Sequence, residues 1–203
     1  MNRPPKLATL VLAAGAATRF GTPKALALLD GKRLIQHAIE RALEVSPRST
    51  WVVLGHGTGE VTRALPSGEF TVVVNRRWQE GMASSIRAGV ERLPGVCGGA
   101  LLLLADQPRI TRESLRRLVD AWLRQPTQIL ASRYAGVMGA PCIFPRWCFT
   151  DLLTLRGDQG ARSLLNRYTE RVVAVAHPEA AADVDNVEDL AALGEQGGRI
   201  ETP

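Results

Sequence analysis

Apolar residues fall in short runs separated by polar, glycine-rich joints, and the runs alternate between two periodicities. Residues 7–14 are a near-continuous apolar run, as a strand buried on both faces requires. Residues 34–45 instead carry apolar side chains at 34, 35, 38, 39, 42 and 43, the spacing of one helix face. Residues 51–54 read as a strand ending at Gly55, 60–65 as a short helix stopped by Pro66, and 70–74 as a strand ending at Asn75. A helix over 84–93 ends at Pro94, and 100–105 form a continuously apolar strand. Thr111 caps the next helix, which runs to about Arg124, with Ser114 standing where a capping-box acid is ideal. Later strands are predicted over 129–132, 141–144 and 172–176, and later helices over 148–155, 160–168 and 187–193. Strand and helix in alternation predict an α/β fold, a three-layer α/β/α sandwich around a mainly parallel sheet. In such sheets ligands bind beyond the carboxyl ends of the strands. Gly15, Asn75 and Asp106 follow the first, third and fourth strands and so fall there.

At 203 residues, the expectation is one domain over 1–203, burying roughly 70% of its unfolded surface. Residues 194–203 are polar and glycine-rich and read as a flexible tail. The net charge of +5 is diffuse, since acids flank both arginine doublets, Arg76-Arg77 and Arg116-Arg117. With aromatics at only 5%, base-stacking platforms are lacking, so an anionic small substrate fits better than nucleic acid. Cys97, Cys142 and Cys148 are odd in number and have no C-x-x-C spacing, which argues against structural zinc and a disulfide framework and suits a reducing cytoplasm. No apolar run approaches the roughly 20 residues of a membrane span, and no membrane partner is expected.

The densest chemistry lies at residues 10–24, where the first strand opens at Gly15 into a small-residue loop carrying Arg19, Gly21 and Lys24. Backbone donors beside two cations at the end of a buried strand suit a polyphosphate. Lys24 is one of three lysines against twenty-two arginines. The spacing is neither a Walker A loop nor a dinucleotide fingerprint: Lys24 comes three residues after Gly21, and no second glycine sits two after Gly15. Lys6 followed by residues 7–17 also has the look of a cleavable leader, a reading that leaves the arginine, glycine and lysine unexplained.

Further candidates follow the later strands. Asp106 ends the run Leu101-Leu102-Leu103-Leu104-Ala105, where a carboxylate is costly unless it faces a cleft and a cation. It suits a magnesium ion held by one or two carboxylates and phosphate oxygens; its alternative role is to cap the turn before Thr111. Asp183 and Asp185 alternate onto one side of an extended segment, and Asn186 is placed to cap the helix after them. In the stretch from Asn75 to Gly89, Gly81 allows close approach of a ligand, and Ser84 and Ser85 open a helix aimed at it, Ser84 equally as a plain N-cap. Gly139-Ala140-Pro141 and Gly157-Asp158-Gln159-Gly160-Ala161-Arg162 complete the set, with Arg162 suited to gripping a phosphate and Asp158 equally an N-cap. His37, His56 and His177 form no catalytic set.

Together, the loop pattern L-A-A-G-x-x-x-R-x-G-x-x-K, the N-x-x-W-x-x-G-M-x-x-S stretch, the G-x-P element, G-D-x-G-A-R and the D-V-D cluster resemble the MobA-like NTP transferase family over residues 6–193. The branch most similar is that of the molybdenum cofactor cytidylyltransferases of MocA type, because Ala14 stands where the guanylyl branch has glycine. The chain departs from that family at Asn186-Val187, where Thr-Pro is usual. The resemblance implies a Rossmann-like nucleotidyltransferase fold whose N-terminal half binds nucleotide and whose residues about 133–170 bind the acceptor. It implies transfer of CMP from CTP to the phosphate of molybdopterin, with release of pyrophosphate and with Mg²⁺, or alternatively Mn²⁺, as cofactor. It assigns Arg19, Lys24 and Asp106 to catalysis and Asp106 and Asp185 to the metal. Leu12, Ala13, Ala14, Gly15, Arg19, Lys24, Asn75, Gly81, Ser84, Ser85 and Asp106 would contact the nucleotide, and Pro141, Asp158, Gly160 and Arg162 the acceptor. A molybdoenzyme or its maturation factor is the implied protein partner. Guanylyl transfer, another phosphate acceptor, and a non-catalytic cofactor chaperone stand as alternatives.

Overall fold

The computed structural model describes residues 5–15, 22–158, 160–184 and 186–197. In chain order its elements are β1 (Lys6–Ala13), a small hairpin of β2 (Leu28–Leu29) and β3 (Lys32–Arg33), α1 (Leu34–Val45), β4 (Thr50–Leu54), α2 (Thr58–Arg63) and β5 (Thr71–Val74). There follow α3 (Met82–Val90), β6 (Cys97–Leu104), α4 (Arg112–Arg124), β7 (Ile129–Tyr134), β8 (Val137–Pro145), α5 (Phe149–Thr154), α6 (Arg162–Arg167), β9 (Val172–Ala176) and α7 (Val187–Gly197).

Among the described residues, seven strands form one sheet in the order β5-β4-β1-β6-β8-β7-β9. The chain builds outward from β1 through β4 to β5, then returns to lay β6 on the other side of β1, all parallel. The tips of β1 and β6 therefore flank the point where strand order reverses. β7 and β9 are also parallel, but β8 runs antiparallel to both its neighbours. The predicted sheet is thus mainly parallel with one reversed strand. β8 is also far longer than its expected range of 141–144, and its extra residues 137–140 reach the functional rim.

Period-two alternation divides the core. Leu102 packs with Leu10, Val53, Ile86 and Phe144 on one face, while Leu101 and Leu103 pack with Ile35, Val52, Leu115 and Trp122 on the other. Each such side chain contributes about 1.5–3 kcal/mol by leaving water. A third cluster, Leu29, Leu34, Val184 and Leu193, seats the C-terminal segment on the β2–β3 hairpin side. The capping box before α4 closes with serine in place of the ideal acid: Ser114 N donates to Thr111 Oγ1 at 3.1 Å, and Thr111 N donates to Ser114 Oγ at 3.4 Å. Two helices begin earlier than their hydrophobic pattern indicates, α2 at Thr58 and α3 at Met82, because Gly57 and Gly81, both at positive φ, let the chain turn into them. α7 runs to Gly197, into the stretch expected to be a flexible tail.

His177 follows β9 and is fully buried. Its Nδ1 lies 2.8 Å from Ser132 Oγ, and Ser132 donates its own proton to the Pro141 carbonyl at 2.7 Å, so the imidazole is the donor in this pair. Burial pushes the imidazole pKa down. Its folded pKa therefore lies below the unfolded value of about 6.5, and below that pH the unfolded chain binds the extra proton. The stability His177 contributes is complete above about pH 6.5 and is lost as pH falls toward the folded pKa. Urea midpoints measured across pH 5–8 should fall toward acid in the wild type and fall less in His177→Asn, whose amide has no titrating proton.

Candidate active site

The site is built at the tips of β1 and β6. Ala105 N donates to the Leu12 carbonyl at 3.1 Å, which holds the two strand ends together before they diverge to Gly15 and Asp106. A short 3-10 turn, Lys24–Leu26, brings Lys24 back over this point. Lys24 Nζ lies 2.8 Å from Asp106 Oδ2, with the side chains 19% and 30% exposed. Asp106 Oδ1 is buried and accepts no hydrogen bond from the described residues. A buried carboxylate oxygen with no donor aimed at it fits a hard divalent cation, which needs oxygen ligands and tolerates water and phosphate in the rest of its shell. Among the described residues no group of three acidic, histidine or cysteine side chains could hold a metal without a ligand's help. Arg19 and Asp185 lie outside the described residues. Val184, one residue before Asp185, donates its N–H to the Asp106 carbonyl at 3.0 Å, so the C-terminal acidic segment comes to this rim.

Three adjoining cavities meet here. The smallest, about 120 Å³, lies between Ala13, Gly15, Lys24 and Asp106. A second, about 390 Å³, is lined by Ala14, Gly15, Trp78, Gly81, Ser85 and Asp106, among others. The third, about 560 Å³, reaches from Leu12 and Leu104 to Tyr134, Ala140, Gly160, Arg162 and Asp183. Leu12 borders all three, and Asp158 and Met82 border the two larger ones. The two larger volumes suit small organic ligands.

The wall of the second cavity is assembled by buried hydrogen bonds. Asn75 Nδ2 donates to Ser84 Oγ at 2.8 Å and Ser85 Oγ at 3.0 Å, while Asn75 Oδ1 accepts from Arg77 N at 3.0 Å. Ser84 donates to the Gly81 carbonyl at 2.8 Å. Asn75 and Ser84 thus brace the wall from behind, and of these three side chains Ser85 faces the cavity. Ser84 is not the N-cap of α3, which starts two residues earlier. Trp78 makes an edge contact with His56, their ring centroids 5.1 Å apart.

The loop over 155–160 closes on this wall. Ala83 N donates to the Gly157 carbonyl at 3.0 Å, and Arg87 holds the Leu155 carbonyl. Gly157 and Gly160 adopt positive φ. Asp158 and Arg162, four apart, both line the large chamber. α6 has only six residues, shorter than the helix expected over 160–168. Pro141 is itself buried between two chamber-lining neighbours, Ala140 and Cys142. Burial drives the Cys142 thiol up to about 12, leaving it neutral. The Tyr134 phenol is also raised, by burial and then by the Asp183 carboxylate. Tyr134 and Gln107 are neutral side chains whose neighbours Arg133 and Asp106 carry the charge, so the sequence gives no reason to place them at a site, and Asp183 stands out only beside Asp185.

Comparison with known proteins agrees with this architecture. The family described as "MobA-like NTP transferase domain" matches residues 9–172. The "Purine catabolism protein PucB" of Bacillus subtilis is 26% identical over 92% of this chain and 93% of its own. The "Nicotine blue oxidoreductase" of Paenarthrobacter nicotinovorans is 28% identical over 92% and 95%. The "Bifunctional protein GlmU" of Corynebacterium diphtheriae is 31% identical over 64% of this chain, and the matched region spans only 28% of GlmU. Among solved structures, Rv0371c of Mycobacterium tuberculosis superposes with a TM-score of 0.82 at 31% identity, covering 95% of this chain and all of that one. The same protein has also been solved in complex with manganese. No helix among the described residues is long and apolar enough to cross a membrane.

Gly81 is the tightest point of the wall: a Cβ there would lie 2.7 Å from the Gly157 carbonyl carbon, at a φ of +90°. Gly81→Ala should cost about 1–3 kcal/mol through backbone strain and displacement of the 155–158 loop. Thermal unfolding of the variant checks the cost; a melting temperature equal to wild type would show that the loop is free to move.

Proposed function

The chain belongs to the MobA-like NTP transferase family and is a nucleotidyltransferase; we propose that it transfers CMP from CTP to the terminal phosphate of molybdopterin and releases pyrophosphate. The observation that carries this reading is the Lys24–Asp106 pair where the 120 and 390 Å³ cavities adjoin, with one Asp106 oxygen buried and without a hydrogen-bond partner among the described residues.

An acceptor phosphate is already ionised at neutral pH, so the reaction needs no general base. A phosphate oxygen bonds to the α-phosphorus of CTP as the bond to the β-phosphate oxygen breaks, and pyrophosphate carries away the electron pair. The chain's task is to bring two anions together and neutralise developing charge. Gly15 and its neighbouring backbone receive the triphosphate, with Arg19 and Lys24 as its cations. Asp106 and Asp185 would hold a divalent ion, Mg²⁺ or Mn²⁺, which supplies Lewis-acid neutralisation of phosphate oxygens when bound. The manganese complex of Rv0371c supports a divalent ion of this kind.

The base is assigned to the cavity lined by Trp78, Gly81 and Ser85. Ala14 supports a pyrimidine there. Its methyl group occupies space that glycine would leave open, and it stands beside Gly55, where an added Cβ would lie 2.9 Å from it. The 560 Å³ chamber is assigned to the acceptor, with Arg162 for its phosphate and Asp158 for donor groups. The bordering of both cavities by Asp158 supports delivery of the two substrates to one point. The neutral Cys142 thiol in the chamber fits direct transfer without a covalent enzyme intermediate.

The test is incubation with molybdopterin and CTP, GTP or UTP in turn, with Mg²⁺ or Mn²⁺, scoring pyrophosphate. CTP should be used preferentially. Preference for GTP would transfer the assignment to the guanylyl branch, and nucleotide binding without pyrophosphate would favour a chaperone. Lys24→Ala should lower turnover by on the order of 10²-fold or more, the scale of removing one preorganised electrostatic group. Near-full turnover of that variant would remove Lys24 from the mechanism.

A further inference from the structure

Gln107 follows Asp106 directly, yet it lines none of the three cavities and is 2% exposed. Its Nε2 donates to the Ala140 carbonyl at 3.2 Å and to the Ala180 carbonyl at 3.0 Å. Both partners are acceptors, so the chemistry fixes which end of the amide faces them.

The two carbonyls belong to separate pieces of the molecule. Ala140 stands in the chamber wall where β8 leaves the regular ladder: Ala131 pairs with Cys142, but the next residue, Ser132, pairs with Gly139. Ala140 and Pro141 are thereby bulged, and their carbonyls take side-chain donors, Gln107 for the first and Ser132 for the second. Ala180 ends a turn on His177 and leads into the segment whose Val184 binds the Asp106 carbonyl. One amide group therefore ties the chamber wall and the C-terminal acidic segment to the residue beside Asp106.

We propose that Gln107 is a positioning residue for the acceptor, setting the distance between Asp106, the chamber wall and the C-terminal segment. This rests on the reading above that the acceptor occupies the chamber. A merely space-filling role would be served by leucine, which has nearly the same shape and no donor. With leucine, both carbonyls lose their buried partner, so the chamber wall and the turn at Ala180 are no longer tied to each other through residue 107, while the backbone bond of Val184 to Asp106 and the Asn75 bonds of the nucleotide cavity remain.

The experiment compares wild type with Gln107→Leu in the full chain. CTP affinity, measured by calorimetry without a divalent ion so that Asp185 has no part in it, should change by less than about twofold, while kcat/KM for molybdopterin should fall on the order of 10²-fold, as expected for a misplaced reactant. Amide exchange should quicken in residues 138–142 and 178–184 together. An unchanged kcat/KM for the acceptor overturns the proposal, as does a parallel loss of CTP affinity. If Gln107→Leu does not fold, Ser132→Ala loosens the same wall from the side remote from Asp106. It should raise the acceptor KM with CTP affinity kept, and an unchanged KM counts equally against the proposal. Should wild type itself release no pyrophosphate with molybdopterin, the functional reading falls. Exchange in Gln107→Leu then still decides the tether, and wild-type rates in both segments would refute it.

Discussion

Past Leu102, the central strand β6 keeps one neighbour and loses the other. It pairs with β1 through Leu104, but its ladder with β8 ends at the Leu102–Cys142 pair. That parting opens the large chamber between Leu104 and Ala140. It also strands backbone carbonyls in a buried place, where each needs a donor to avoid the cost of lost hydration. Gln107 and Ser132 supply those donors, and His177 in turn supports Ser132. The rim that carries the candidate site is therefore a defect in the sheet, stabilised by buried polar side chains rather than by strand pairing.

The charges at the rim are arranged around the same opening. Lys24 and Asp106 face each other at 2.8 Å while both stay partly in contact with solvent. Such a pair is held loosely enough for its members to be shared with a polyanion and a cation. A carboxylate alone here would repel a triphosphate, and a lysine alone would not discriminate a metal-bound nucleotide from any other anion. Under the proposed function, their juxtaposition would favour a nucleotide carried with a divalent ion, the substrate form on which positional and electrostatic catalysis of nucleotidyl transfer depends.

Coupling between the two larger cavities runs through α3. Its first turn carries Met82 and Ser85, and its N–H at Ala83 binds Gly157 of the loop that carries Asp158. Arg87 in the same helix is paired with Glu80 at 2.6 Å and also holds the Leu155 carbonyl. A displacement on one side of the cleft is thus felt on the other through backbone bonds. The arrangement needs glycine at position 81, because only a residue without a side chain allows the loop so near.

Periodicity alone located most of the strands and helices: α1 and β9 fall at their predicted limits, and β1 and β6 lie where continuous apolar runs put them. The reason is local, since burial on one face or both writes itself into hydrophobic spacing. Glycine and proline likewise marked the loops at Gly15, Gly81 and Gly157. The direction of β8 was not legible, because a buried strand reads the same in parallel and antiparallel pairing; yet that direction brings Gly139 and Ala140 to the rim. Nor could the chain alone separate Ser85, which faces a cavity, from Ser84 and Asn75, which brace it, since their roles depend on which way buried hydrogen bonds close. Gln107 shows the division most sharply: its partners are 33 and 73 residues away. The amino-acid order determined the layers and the reactive side chains, and tertiary packing decided which of them meet, because meeting depends on contacts between residues remote in sequence.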